Sequence, residues 1–156
     1  MSDTSSDVAN PFGLGVKEWI EDLGPFSRSQ CLEFCDRTRD PNLFHKEPQA
    51  ALAWCAAFRK QPPPGGEVVV PGFYTLEELP GRLVVKLGQG TTVVKIRNLH
   101  FAEPLYSGQK AQVFYSLNRV VAARNIYFAE LRAKILVGGE PITTFEFVVS
   151  KPAAPC

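Results

Sequence analysis

Gly72-Phe73-Tyr74-Thr75-Leu76-Glu77-Glu78-Leu79-Pro80-Gly81-Arg82-Leu83-Val84-Val85-Lys86-Leu87 is the stretch on which the fold depends. Phe73, Leu76, Leu79, Leu83, Val84 and Leu87 recur at steps of three and four, which lays apolar side chains along one face of a long helix. Pro80-Gly81 falls inside this run. Proline removes a helical hydrogen bond and crowds the preceding turn, so a kink or a break is expected there. The chain that follows is strand-rich, over residues 91–101, 110–117, 122–137 and 141–149. Tyr127, Ala129, Leu131, Ala133 and Ile135 alternate with polar or exposed residues, the mark of a half-buried antiparallel strand. Gly138-Gly139 is a hairpin signal. A helix followed by an antiparallel meander predicts an α+β fold, in which the sheet buries its apolar face by wrapping the helix.

Upstream, residues 16–23 read either as an edge strand or as the start of a helix, and Gly24-Pro25-Phe26 ends them. Ser27 is a good N-cap for a helix carrying Leu32, Phe34 and Cys35, which should end near Arg37. Pro48 suits the first turn of another helix, running through Trp54 to about Phe58. Gln61-Pro62-Pro63-Pro64-Gly65-Gly66 must be a loop.

At 156 residues the chain is long enough for one domain with a sizeable core. Residues 13–151 are expected to form it, with residues 1–12 a disordered tail and 152–156 a second, short tail. A net charge of +1 gives no reason to expect nucleic acid or an anionic membrane as partner. No run approaches the length of a membrane span, and residues 1–10 lack the basic start and apolar run of a signal peptide. A cytoplasmic protein is expected. Cys31, Cys35, Cys55 and Cys156 form no metal-ligand spacing, so no metal is expected and the thiols should be reduced.

The chemistry-bearing stretch is Asp40-Pro41-Asn42-Leu43-Phe44-His45, followed by Pro48-Gln49-Ala50-Ala51. Fully extended, the chain would separate the carboxylate and the imidazole by roughly 17 Å. Pro41 and Asn42 instead favour a turn, which can bring both groups to one pocket. An acid and an imidazole together suit moving a proton onto one atom and off another.

The D-x-N-x-x-H pattern resembles the signature of the MaoC-like, or type 2, enoyl-CoA hydratases, which have the hot-dog fold. Leu43 stands where that signature usually has Pro, and Thr38-Arg39 where Ser-Gly usually precedes the Asp. Val70-Pro71-Gly72-Phe73-Tyr74-Thr75-Leu76, running on to Leu79-Pro80, resembles the family's H-G-F-L-T-L and L-P segment, with Pro71 in place of the His. Leu99-His100-Phe101-Ala102-Glu103-Pro104-Leu105-Tyr106-Ser107-Gly108 resembles its R-F-x-x-P-V-x-x-G-D. The resemblance covers about residues 16–150.

The resemblance implies a long central helix wrapped by an antiparallel sheet, and a hydratase or dehydratase acting on trans-2-enoyl or 3-hydroxyacyl thioesters of CoA or acyl carrier protein. Asp40 and His45 would hold and add the water. Gly72, flanked by Pro71 and Phe73, would offer a backbone N–H to the thioester oxygen, and Asn42 would fix the turn. Trp54 and Phe58 would overhang the acyl pocket, and Glu77 would lie in or near it. No cofactor is implied. A homodimer or a higher even oligomer is expected, because a wrapped sheet leaves an edge strand unpaired. Two alternatives stand beside this reading. One is a non-catalytic acyl-thioester-binding or regulatory subunit. The other is a thioesterase using Glu77 or Glu78.

Overall fold

The computed structural model describes residues 11–14 and 16–153. The chain begins with β1 (Glu18–Leu23), α1 (Arg28–Thr38) and a 3-10 turn (Leu43–His45). It continues through α2 (Pro48–Ala57), α3 (Gly72–Glu77) and α4 (Leu79–Leu87). Four strands complete it: β2 (Thr92–Phe101), β3 (Ala111–Ala123), β4 (Ile126–Val137) and β5 (Glu140–Pro152). All five strands form one antiparallel sheet in the order β1-β3-β4-β5-β2.

The sheet's inner face carries Val113 and Tyr115 from β3, Leu131 and Ile135 from β4, and Phe147 and Val149 from β5, each fully buried. Leu76, Leu79, Leu83 and Leu87 close on that face. Burying a leucine is worth about 2 kcal/mol, so this seam holds helix and sheet together. The result is the α+β hot-dog arrangement that the helix-then-meander pattern predicts.

The expected long helix is two helices, which meet at Glu78. The break falls just before Pro80 because Pro80 then sits in the first turn of α4, where an absent N–H breaks no helical bond. The 16–23 segment is a strand: Trp19 lies opposite Tyr115 and stacks on it, ring centroids 4.8 Å apart. The expected gap between residues 117 and 122 is absent, since β3 runs on to Ala123 with a register shift between Leu117 and Arg119. Phe12, placed in the tail by the sequence reading, is buried in the core, and Pro152 still belongs to β5. Residues 1–10 and 154–156 lie outside the described residues.

Among the described residues no helix is long and apolar enough to cross a membrane. No group of three or more His, Cys, Asp or Glu side chains among them could hold a metal ion. Cys31, Cys35 and Cys55 are free and buried. Burial pushes the Cys31 thiol up to about 12.

Candidate active site

The 3-10 turn is set up by the helix before it. Ser27 Oγ accepts the Gln30 N–H, and Gln30 Oε1 accepts the Ser27 N–H, a reciprocal cap that fixes the start of α1. At the other end Arg39 adopts φ 58, a left-handed conformation that glycine takes at least cost. Arg39, which stands where the resembled signature has Gly, takes this conformation with a full side chain. The Asp40 N–H then donates to Cys35 O at 2.8 Å.

Asp40 and Asn42 form a closed unit. Asp40 Oδ1 accepts the Asn42 backbone N–H at 2.9 Å and its Nδ2 at 2.7 Å. This leaves Oδ2 for His45, whose Nε2 stands 3.8 Å away. That separation is too long for a direct hydrogen bond. A water can bridge it with one bond to each group.

His45 is buried, at 8% exposure. Its Nδ1 lies 2.7 Å from the carbonyl oxygen of Val69. A carbonyl can only accept, so Nδ1 carries the proton and Nε2 of the neutral ring is an acceptor. Burial lowers the pKa below the ordinary imidazole value of 6.5, against the Val69 carbonyl and the Asp40 charge, which both pull it up. Val69 grips the same turn a second time, its N–H donating to Phe44 O at 3.1 Å. This backbone role has no signature in residue type, and the sequence reading missed it.

His45 opens onto a cavity of about 430 Å³. One wall is a ladder of rings from the turn and α2: Phe44 lies 5.0 Å from Trp54, which lies 5.1 Å from Phe58. Gly72, Phe73 and Phe101 form another part of the lining. A Cβ on Gly72 would come within 2.7 Å of the Phe101 ring, so only glycine leaves the ring in place there. Lys60 ties the end of the overhang to the far rim, donating to Ala102 O at 2.9 Å and to Glu103 Oε1 at 2.7 Å. Tyr106 reinforces this: its hydroxyl donates to Gln61 O and lies 3.3 Å from Cys55 Sγ.

Of the residues singled out in the sequence, His45, Gly72, Phe73, Trp54 and Phe58 line this cavity. Asp40 and Asn42 do not line it themselves; Asp40 Oδ2 reaches its edge through the 3.8 Å approach to His45 Nε2. Pro71 lies outside it as the N-cap of α3. Glu77 is not in the cavity: its carboxylate pairs with Arg37 at 2.8 Å on the surface, and that bond holds its pKa below the usual carboxylate range. Glu78 pairs with Arg82 at 3.0 Å. Neither carboxylate lines the cavity, as a thioesterase role would require. His100 is exposed on β2.

No protein-family model and no curated protein matches the chain. Solved structures do. An (R)-hydratase from A. caviae is 22% identical, with TM-score 0.71, covering 90% of this chain and 98% of that one. A MaoC-like dehydratase from Rhodospirillum rubrum is 17% identical, with TM-score 0.65, covering 90% and 95%. The truncated HadBC (3R-hydroxyacyl-ACP dehydratase) complex from Mycobacterium tuberculosis is 16% identical, with TM-score 0.63, covering 88% and 98%. The chain therefore has the hot-dog fold of the MaoC-like hydratases and dehydratases.

Proposed function

We propose that the protein adds water across the 2,3 double bond of a trans-2-enoyl thioester, or removes it from the 3-hydroxyacyl product. The observation that carries this reading is the pairing of Asp40 Oδ2 with His45 Nε2 across 3.8 Å, beside a cavity with apolar walls. Both atoms are acceptors when His45 is neutral, so a water between them donates one hydrogen to each. Its lone pairs then face C3 of the enoyl group. As the C3–O bond forms, one of the two groups takes the water's proton and then passes that same proton to C2, returning to its starting state. Water has then been added with atoms and charge balanced. Negative charge builds on the thioester oxygen in between. The Gly72 N–H, at the start of α3, would meet it, because the first N–H groups of a helix have no partner within it. The substrate would be a CoA or acyl-carrier-protein thioester.

One observation favours a second reading, a thioester-binding subunit without turnover. The Phe101 ring stands against the Cβ side of Gly72 and narrows the approach to that residue. Crotonyl-CoA separates the two readings. A hydratase removes the absorbance of the conjugated thioester, whereas a binder takes up the thioester and leaves that absorbance unchanged.

A further inference from the structure

β5 carries an irregularity at the cavity. Ile135 of β4 pairs with Thr143 and Leu136 with Pro141, so Ile142 is an extra residue in β5. Such a bulge breaks the alternation of a strand and re-aims a side chain. Here Ile142 and Thr143, neighbours in sequence, are both buried and both line the cavity. The bulge is held from outside, since the Ile142 carbonyl accepts the N–H groups of Ala102 and Glu103 at 2.9 and 3.1 Å.

Thr143 is 3% exposed and sits beside Ile135, which is fully buried. This is the deep end of the cavity. The rim is formed by Phe58 and Phe73, at 62% and 67% exposure. The other polar side chains of the lining are engaged: Thr75 donates to Gly72 O, Lys60 to Ala102 and Glu103, and His45 binds Val69. Among the described residues the Thr143 hydroxyl has no partner. Nor is it sealed off: among the described residues, the buried side-chain polar atom with neither partner nor access is the Tyr115 hydroxyl. Thr143 is a lining residue of the cavity, so the cavity is the space to which an accessible, unpartnered hydroxyl is assigned by elimination.

A plain hydrocarbon chain filling the cavity would strip water from this hydroxyl and offer nothing in return, which is unfavourable. Valine has the same shape and would carry no such cost. We propose that Thr143 determines specificity, its hydroxyl receiving an oxygen borne on the distal part of the acyl chain, so that the substrate is an oxo- or hydroxy-substituted enoyl thioester. The assignment of the deep end to the acyl chain rests on the hydratase reading: the bulky, charged CoA or carrier protein stays at the rim.

The test is calorimetric binding of saturated thioesters, which cannot be hydrated, to the full-length protein. The probes are octanoyl-CoA and a set of oxo-octanoyl-CoA isomers, the ketone moved along the distal half of the chain. At least one isomer should bind about fivefold or more tighter than octanoyl-CoA. Thr143→Val should abolish that preference, and Thr143→Ser, which keeps the hydroxyl, should retain it. No preferred isomer, a preference that survives Thr143→Val, one lost in a folded Thr143→Ser, or no thioester bound would each overturn the assignment. If the preference holds but crotonyl-CoA is not hydrated, the hydratase reading fails and the role of Thr143 stands.

Discussion

The carbonyl of Val69 decides which nitrogen of His45 carries the proton, and burial decides when a second proton arrives. Because burial is the largest influence, the folded pKa lies below 6.5. Between those two values the unfolded chain binds a proton that the folded protein resists, so acid favours unfolding. The stability from neutral His45 should be fully present above pH 6.5 and lost as pH falls through the lower folded value. Melting curves across that window should show a slope in the wild type that is missing in His45→Gln; equal slopes would mean that His45 is not the group responsible. The acid limb of kcat/KM should also lie below 6.5, since the doubly protonated ring has no acceptor at Nε2. Asp40, Asn42 and His45 were legible in the sequence because a six-residue turn is local: its proline and asparagine announce it. The Arg37–Glu77 pair was not. Its partners are forty residues apart, and nothing in either neighbourhood shows that Glu77 turns outward.

Among the elements, the proposed function gives α2 with its following loop the largest part in substrate choice. Phe58 caps α2, packs at a tilt on Trp54 and lines the cavity, yet is 62% exposed. So exposed a ring contributes little to the core, and Phe58→Ala should melt close to the wild type. If the overhang limits acyl length, the same variant should raise kcat/KM for octenoyl-CoA relative to crotonyl-CoA by about tenfold or more. An unchanged ratio with lowered stability would instead assign the ring to packing. Element type was readable wherever period and punctuation agreed, as in α1 behind Ser27 and in β4 with its alternating run. Element ends were less so. The sequence shows Pro80 but not that the helix restarts one residue before it. The β5 bulge depends on pairing with β4, which no local pattern around Ile142 reveals.

At the scale of the whole molecule, the sheet ends at β2, which among the described residues pairs only with β5. Val94, Ile96 and Phe101 on this strand are 51%, 41% and 40% exposed. A ten-residue edge with apolar side chains exposed invites a second copy, so light scattering at working concentration should give the mass of a dimer or a higher even oligomer. Val94→Lys with Ile96→Lys should shift it towards monomer; a monomeric wild type would contradict the expectation that this edge is covered by a second copy. On the hydratase reading, turnover would draw on the whole chain, because α1 positions Asp40, Val69 orients His45, and α3 with β2 and β5 shapes the cavity. The most direct measurement is the rate at which purified protein removes the absorbance of crotonyl-CoA, with wild type, Asp40→Asn and His45→Gln compared at matched melting temperature. The wild type should hydrate it, and each variant should lose about a hundredfold or more of kcat/KM. A fully active, normally folded Asp40→Asn protein would contradict the account.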